Sequence, residues 1–230
     1  MPVVLQPACL DRPVDRVVWD WNGTLFDDAW LCVDVMNTLL REHDLPEMTL
    51  PHYQRIFDFP VETYYRRLGF DFAHASFEEL GTLFIRRYEQ RKWECQLHRG
   101  ARDLLNALAA RNIPQVLLSA YEQSTLDQLV SHFALDDYFE SVLGHPDHYA
   151  AGKTERGRRW AAETGEDPSR FLFIGDTAHD ADVARAVGAQ CMLVEGGNQD
   201  RDRLAACGVP LFPDLRGLET SLFGGAIQPD

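Results

Sequence analysis

An α/β fold, with a parallel sheet covered by helices on both faces and an all-helical insert near its start, is predicted by three features of the sequence. A short apolar run at Val14–Asp20 reads as a buried strand. Residues 28–94 then place apolar side chains at helical spacing with no strand signal among them. From Gly100 onward apolar runs alternate with amphipathic segments, the pattern of a parallel sheet wound on both faces.

Taken in order, VDRVVWD delivers Asp20 to a loop marked by Gly23. Within the insert, AWLCVDVMNTLL, VETYYRRL and FEELGTLFIRRYEQ read as helices, and Gly81 weakens the continuity of the last. Beyond Gly100, ARDLLNALAAR is helical, QVLLS a strand, STLDQLVSHF helical and SVL a short strand. The series continues with TERGRRWAAET (helix), FLFIG (strand), DADVARAVG (helix), CMLV (strand), DRDRLAA (helix) and a last strand at LF. The tail LFGGAIQPD reads as a frayed end. The expected division is a core of residues 1–27 and 98–230 around a helical unit of residues 28–97.

The chain is 45% hydrophobic and 25% charged, the proportions of a globular chain rather than a disordered one. Thirty-six acidic against 22 basic residues give a net charge of −14, a field that repels phosphate backbones and anionic lipid. Neither nucleic acid nor a membrane is expected as a partner. No apolar run is long enough for a span, and no basic segment precedes the short apolar stretch at the start, so no secretion signal is expected. Cys9, Cys32, Cys95, Cys191 and Cys207 are scattered without a CxxC, which suggests neither a disulfide framework nor a zinc clip and fits a reducing cytoplasm. The oligomeric state is left open.

Ligands of doubly wound sheets bind beyond the carboxyl ends of the strands. Those positions hold Asp20-Trp-Asn22-Gly23-Thr24, Ser119, and Asp176-Thr-Ala-His-Asp180, with Lys153 following another strand in AAGKTERG. Carboxylates converging from separate strands repel one another, and an oxygen-ligated divalent cation such as Mg²⁺ resolves that repulsion. A lysine and a hydroxyl opposite would bind the remaining oxygens of a phosphate, the roles open to Lys153 and Ser119. Asp20 would then attack phosphorus in line, giving an aspartyl-phosphate that water cleaves.

With these residues in place the sequence resembles the haloacid dehalogenase superfamily, in particular its capped phosphatases such as phosphoglycolate phosphatase. The resemblance is carried by Asp20-x-Asn22-Gly23-Thr24-Leu25, Ser119, Lys153 and Gly175-Asp176-x-x-x-Asp180, followed by Ala184 and Gly188, and extends over nearly the whole chain. It implies a Rossmann-like core, a cap inserted after the first strand, Mg²⁺ dependence and a small phosphorylated metabolite as substrate. By resemblance Asp20 is nucleophile and metal ligand, Asn22 a ligand through its main-chain carbonyl, and Asp176 a ligand. Asp180 is a supporting carboxylate, Ser119 and Lys153 clamp the phosphate, and Thr24 joins the substrate contacts.

One position departs from the family. The phosphatases carry a second Asp two residues after the nucleophile, where this chain has Asn22, and an amide cannot shuttle a proton. Loss of a placed acid/base typically costs on the order of 10²–10⁴ in rate. Three accommodations stay open: a substrate with a good leaving group, another proton donor, or a phosphate-ligand-binding or regulatory protein with little turnover. His179 is read as capping a helix or facing solvent rather than titrating near neutrality.

Other signals weigh less. Gly152-Lys153-Thr154 imitates a P-loop, but Asp147 stands where its first glycine belongs. His145 and His148 lie in a Pro-containing stretch with no recognised ligand spacing and read as loop surface. In the insert, FDFPVETYYRRLGFDF reads first as helix packing, with Arg66 or Arg67 as a minority candidate for meeting a substrate carboxylate. Lys153 is one of two lysines among 22 basic residues; the other, Lys92, sits at the end of the helical block, which disfavours Schiff-base chemistry in the insert. Dehalogenation is disfavoured because Asp176 is retained.

Overall fold

The computed structural model describes residues 4–145 and 152–224, so the readings of His148 and of the last six residues lie outside it. The chain enters through β1 (Arg16–Trp19) and makes a first half-turn at β2 (Phe26–Asp27). Four helices follow: α1 (Ala29–Glu42), α2 (Leu50–Ile56), α3 (Val61–Arg67) and α4 (Phe77–Arg91). β3 (Gln96–Leu97) then returns the chain by pairing antiparallel with β2. This two-strand ribbon brackets the helical segment and was not anticipated, because two residues carry no periodicity.

The remainder runs α5 (Ala101–Ala109), β4 (Gln115–Glu122), α6 (Gln123–His132), β5 (Ser141–His145), α7 (Lys153–Thr164) and β6 (Phe171–Gly175). It ends in α8 (Ala178–Val187), β7 (Gln190–Val194), α9 (Arg201–Ala205), β8 (Leu211–Phe212) and α10 (Leu215–Phe223). The last helix corrects the expectation of fraying before residue 224: Asp214 caps it, and Leu215, Leu218 and Leu222 bury one face. Helix α4 runs unbroken through Gly81, held at its start by a reciprocal Ser76–Glu79 capping box.

Six strands form one parallel sheet in the order β5-β4-β1-β6-β7-β8. Side chains alternate between its faces, as strand geometry requires. Val17, Trp19, Leu172 and Ile174 pack with α5, α6 and α10, whereas Val18, Phe171 and Phe173 pack with α7, α8 and α9. β1 is the centre of the sheet: the chain moves from it to β4 and β5, then crosses to β6 on its other side. A crevice opens at such a switch between β1 and β6. A third apolar cluster, with fully buried members running from Ala29 to Leu80, belongs to the helical segment alone. No disulfide joins the five cysteines, and among the described residues no helix is long and apolar enough to cross a membrane.

Candidate active site

β1 and β6 end side by side, and each is followed by an aspartate. Asp20 N–H donates to the Ile174 carbonyl at 2.9 Å, which ties the start of the β1 loop to the end of β6. Thr24, fully buried, directs its hydroxyl at Asp20 Oδ2 (3.0 Å) and Asp176 Oδ1 (2.8 Å). Its one proton serves only one of the two carboxylates at a time. Thr24 therefore sits behind the carboxylates and outside the cavity wall, which differs from its expected place among the substrate contacts.

Asp180 reaches the site through a helix cap. Thr177 and Asp180 form a reciprocal capping box at the start of α8: Thr177 Oγ1 donates to Asp180 Oδ2 at 2.6 Å, and the Thr177 N–H adds a bond at 3.1 Å. The other oxygen, Oδ1, accepts from Lys153 Nζ at 2.5 Å, and the same ammonium contacts Asp20 Oδ1. Gly175 makes this possible, since a Cβ there would stand 2.3 Å from Asp180 Cγ. Lys153 opens α7 rather than following a strand directly, and it is buried. Ser119 lies inside β4, at an irregularity of the β4–β5 ladder between Leu118 and Glu122. Its hydroxyl accepts from Tyr121 N–H at 3.1 Å.

Burial pushes the Asp20 carboxyl up to about 6, with Asp180 adding to the shift and Lys153 opposing it. Asp176 is raised well above the usual range by burial and by repulsion from Asp20 and Asp180. For Asp180 burial acts upward, but Lys153 outweighs it and the carboxyl is held low. The ammonium of Lys153 is stabilised by Asp180 and Asp20 against its own desolvation.

Asn22 turns its side chain away from this cluster. Its Nδ2 donates to Asp28 Oδ2 (2.8 Å) and to the Tyr88 hydroxyl (3.1 Å), while Tyr88 donates to Asp28 Oδ2 at 2.5 Å. Gly23 N–H completes the shell at Asp28 Oδ1, 2.9 Å away. Burial raises the Asp28 carboxyl, and the bonds from Tyr88, Asn22 and Gly23 counter it in part.

Asp20, Asn22, Ser119, Lys153, Asp176 and Asp180 line one cavity of about 660 Å³ between the sheet edge and the helical segment. His179 is there too, its ring 4.9 Å from that of Phe59, rather than facing solvent or capping the helix; burial lowers its pKa. His145 closes β5 instead of lying in a surface loop. Arg66 and Arg67 do not reach the cavity. Arg66 pairs with Glu62 and lies over Phe72, and Arg67 bonds Asp58 and the Ile56 carbonyl, because their helix positions point outward. Lys92 is buried against Glu89, 2.5 Å away, and does not line the wall.

Sequence reasoning missed Asn198. Its N–H donates to Asp176 Oδ2 at 2.6 Å, its Nδ2 reaches the same oxygen (3.0 Å) and the Asn22 carbonyl (3.1 Å), and its Oδ1 accepts from Tyr53 of α2 at 2.8 Å. The signal was present, since Gly196-Gly197-Asn198 follows the end of β7 just as Asp176 follows β6. Asp28 and Tyr88 were missed because their partner is distant in sequence or in another element.

A doubly wound sheet with carboxylates and a buried lysine gathered at its switch point defines an α/β protein with a charged ligand site beyond its strand ends. The chain belongs to the haloacid dehalogenase-like hydrolases, whose family profile matches residues 17–194. It is similar to the phosphoglycolate phosphatase of Synechococcus elongatus, 25% identical over 84% of this chain and 90% of the relative. Among solved structures it resembles the Mycobacterium tuberculosis protein tyrosine kinase A, with a TM-score of 0.75, 23% identity and coverage of 91% and 98% of the two chains. A putative phosphatase from Clostridium difficile gives a TM-score of 0.75 at 15% identity, covering 91% of this chain and 99% of the other.

Proposed function

We propose that the protein is a Mg²⁺-dependent phosphatase of small phosphorylated metabolites, working through an aspartyl-phosphate on Asp20. The observation that carries this reading is the convergence of Asp20, Asp176 and Asp180, with ligand atoms within 4.8 Å of one another, two of them, Asp20 and Asp180, paired with one buried lysine. The relatives support phosphoryl chemistry: one is described as a phosphoglycolate phosphatase and another as a tyrosine kinase.

The residues present fit a hard divalent cation. Asp20 and Asp176 offer carboxylate oxygens that repel each other, and the Asn22 carbonyl beside them is a third oxygen. The backbone also comes close around Asp176: a Cβ on Gly197 would stand 2.2 Å from its Oδ2, and one on Gly23 2.3 Å. Asp20, Asp176 and the Asn22 carbonyl would hold the ion. The chemistry it supplies when bound is relief of carboxylate repulsion and withdrawal of charge from phosphoryl oxygens.

In this reading Asp20 attacks phosphorus, Lys153 and Ser119 hold the phosphoryl oxygens, and Asp180 fixes Lys153 in place. Residues 28–97 form a cap over a core of residues 1–27 and 98–230, and enclosure of the site excludes water. Phosphate release from a panel of esters with and without Mg²⁺, compared with Asp20→Asn, tests the proposal. Metal-dependent release that vanishes in Asp20→Asn is expected. A second reading, a phosphate-binding regulatory protein, is favoured only by Asn22, and binding of a phosphate mimic without any release would support it instead.

A further inference from the structure

The cavity wall combines a charged cluster with aromatic rings. Lys153, the carboxylates and Ser119 gather at one place on its wall, and Phe57, Phe59, Tyr65, Phe77, Phe84 and Tyr121 supply much of the rest. Among the described residues Lys153 and His179 are the only basic side chains on its wall. Glu62, Glu78 and Glu89 also line it, Glu62 paired with Arg66 and Glu89 with Lys92. Lys153 is already held by Asp20 and Asp180, so a substrate carboxylate, as in phosphoglycolate, would find no further lysine or arginine on the described wall, and an unpaired buried charge is costly.

A second, independent observation concerns the leaving group. The position beside the nucleophile is a neutral amide, and its Nδ2 is engaged by Asp28 and Tyr88, so Asn22 supplies no proton to a departing oxygen. Esters of poorly acidic alcohols need that proton. A phenol, with a pKa of about 10 against about 16 for water, departs as the anion far more easily.

We propose that the preferred substrate is a phosphate monoester of an uncharged phenol, an aryl phosphate whose ring packs against the aromatic side chains of this cavity. The inference rests on the phosphatase reading above and narrows it. An Asp20 oxygen forms a bond to phosphorus as the P–O(aryl) bond breaks, and the electron pair leaves on the phenolic oxygen, which takes a proton from water. Water then adds to phosphorus, the Asp20–phosphorus bond breaks, and the carboxylate and inorganic phosphate are released.

The test compares kcat/KM for 1-naphthyl phosphate, cyclohexylmethyl phosphate, phosphoglycolate and acetyl phosphate, all with Mg²⁺. Acetyl phosphate has the better leaving group, so a preference for 1-naphthyl phosphate over it reports the pocket. We expect 1-naphthyl phosphate to lead each of the others by on the order of 10- to 100-fold, the scale of burying one aromatic ring. Gly81→Leu provides the second measurement. Gly81 lines the cavity with nothing within 4 Å of a would-be Cβ, and leucine suits the helix better than glycine. The variant should lower the ratio of 1-naphthyl to acetyl phosphate turnover at least about tenfold.

Faster turnover of phosphoglycolate than of 1-naphthyl phosphate would overturn the inference and leave the phosphatase reading standing. Equal turnover of the cyclohexylmethyl and naphthyl esters would overturn the phenolic leaving group, and an unchanged ratio in Gly81→Leu would overturn the pocket assignment. Release from none of the four, acetyl phosphate included, would overturn the phosphatase reading itself.

Discussion

Asn198 joins three parts of the molecule, and its removal should be felt by all three. In Asn198→Ala the N–H bond to Asp176 survives, but Asp176 Oδ2 loses its second donor, the Asn22 carbonyl loses its bond from Nδ2, and the Tyr53 hydroxyl, on a residue 2% exposed, loses its acceptor. A buried hydroxyl left unpaired costs about 1–3 kcal/mol, and a hydrogen bond to a charged group is worth about 1.5–3. Partial relaxation leaves an expected loss of about 3 kcal/mol. At urea m-values of about 1–3 kcal/mol/M this lowers the unfolding midpoint by about 1–3 M. Tyr53→Phe alone should cost about 1 kcal/mol, and the double variant about 1 kcal/mol less than the sum, because it leaves no orphaned hydroxyl. Urea unfolding in EDTA of the wild type, both single variants and the double variant measures these quantities. Strict additivity, or a midpoint shift under 0.3 M for Asn198→Ala, would refute the account of Asn198 as the joint between the helical segment and the aspartate cluster.

Three further outcomes are expected. Asn22→Asp alone should be destabilising, because it sets a carboxylate against Asp28 where an amide now donates at 2.8 Å; the rate on alkyl phosphates should rise, by on the order of 10²-fold, only when Asp28→Asn accompanies it. Gly197→Ala should abolish metal-dependent phosphate release, since its Cβ would stand 2.2 Å from Asp176 Oδ2, and Mg²⁺ titration followed by calorimetry checks the lost affinity directly. Glu122 caps α6: burial resists its ionisation, but bonds from Ser124 and Thr125 outweigh burial and hold the carboxyl at about 2. Its folded pKa lies below the unfolded value, so its contribution is fully present above about pH 4.5 and is lost as the pH falls towards 2. Glu122→Ala should therefore cost about 1 kcal/mol at pH 6 and progressively less below pH 4 in urea unfolding.

Much of the site was legible because strand ends are local features. Asp20 and Asp176 each follow an apolar run, and the topology of a doubly wound sheet brings such ends together whatever the side chains between them. Ser119 and Lys153 were found by the same rule, although one proves to lie within its strand and the other opens a helix. The capping signature Thr177-x-x-Asp180 was also readable, yet its consequence, one carboxylate oxygen left for Lys153, needed the helix in place.

By itself the sequence determined the order and kind of the long elements, since the periods of 2 and 3.6 are written in the spacing of apolar residues, and it determined which polar groups the sheet edge would collect. The β2–β3 ribbon was invisible because a two-residue strand has no period and its pairing joins residues about 70 apart. Only the tertiary structure decided where Asn22 points, that Asn198 and Tyr53 meet, and that Arg66 and Arg67 face outward while a wall of aromatic rings faces in. Those outcomes depend on distances between groups far apart in the chain, which side-chain packing sets and residue spacing does not record.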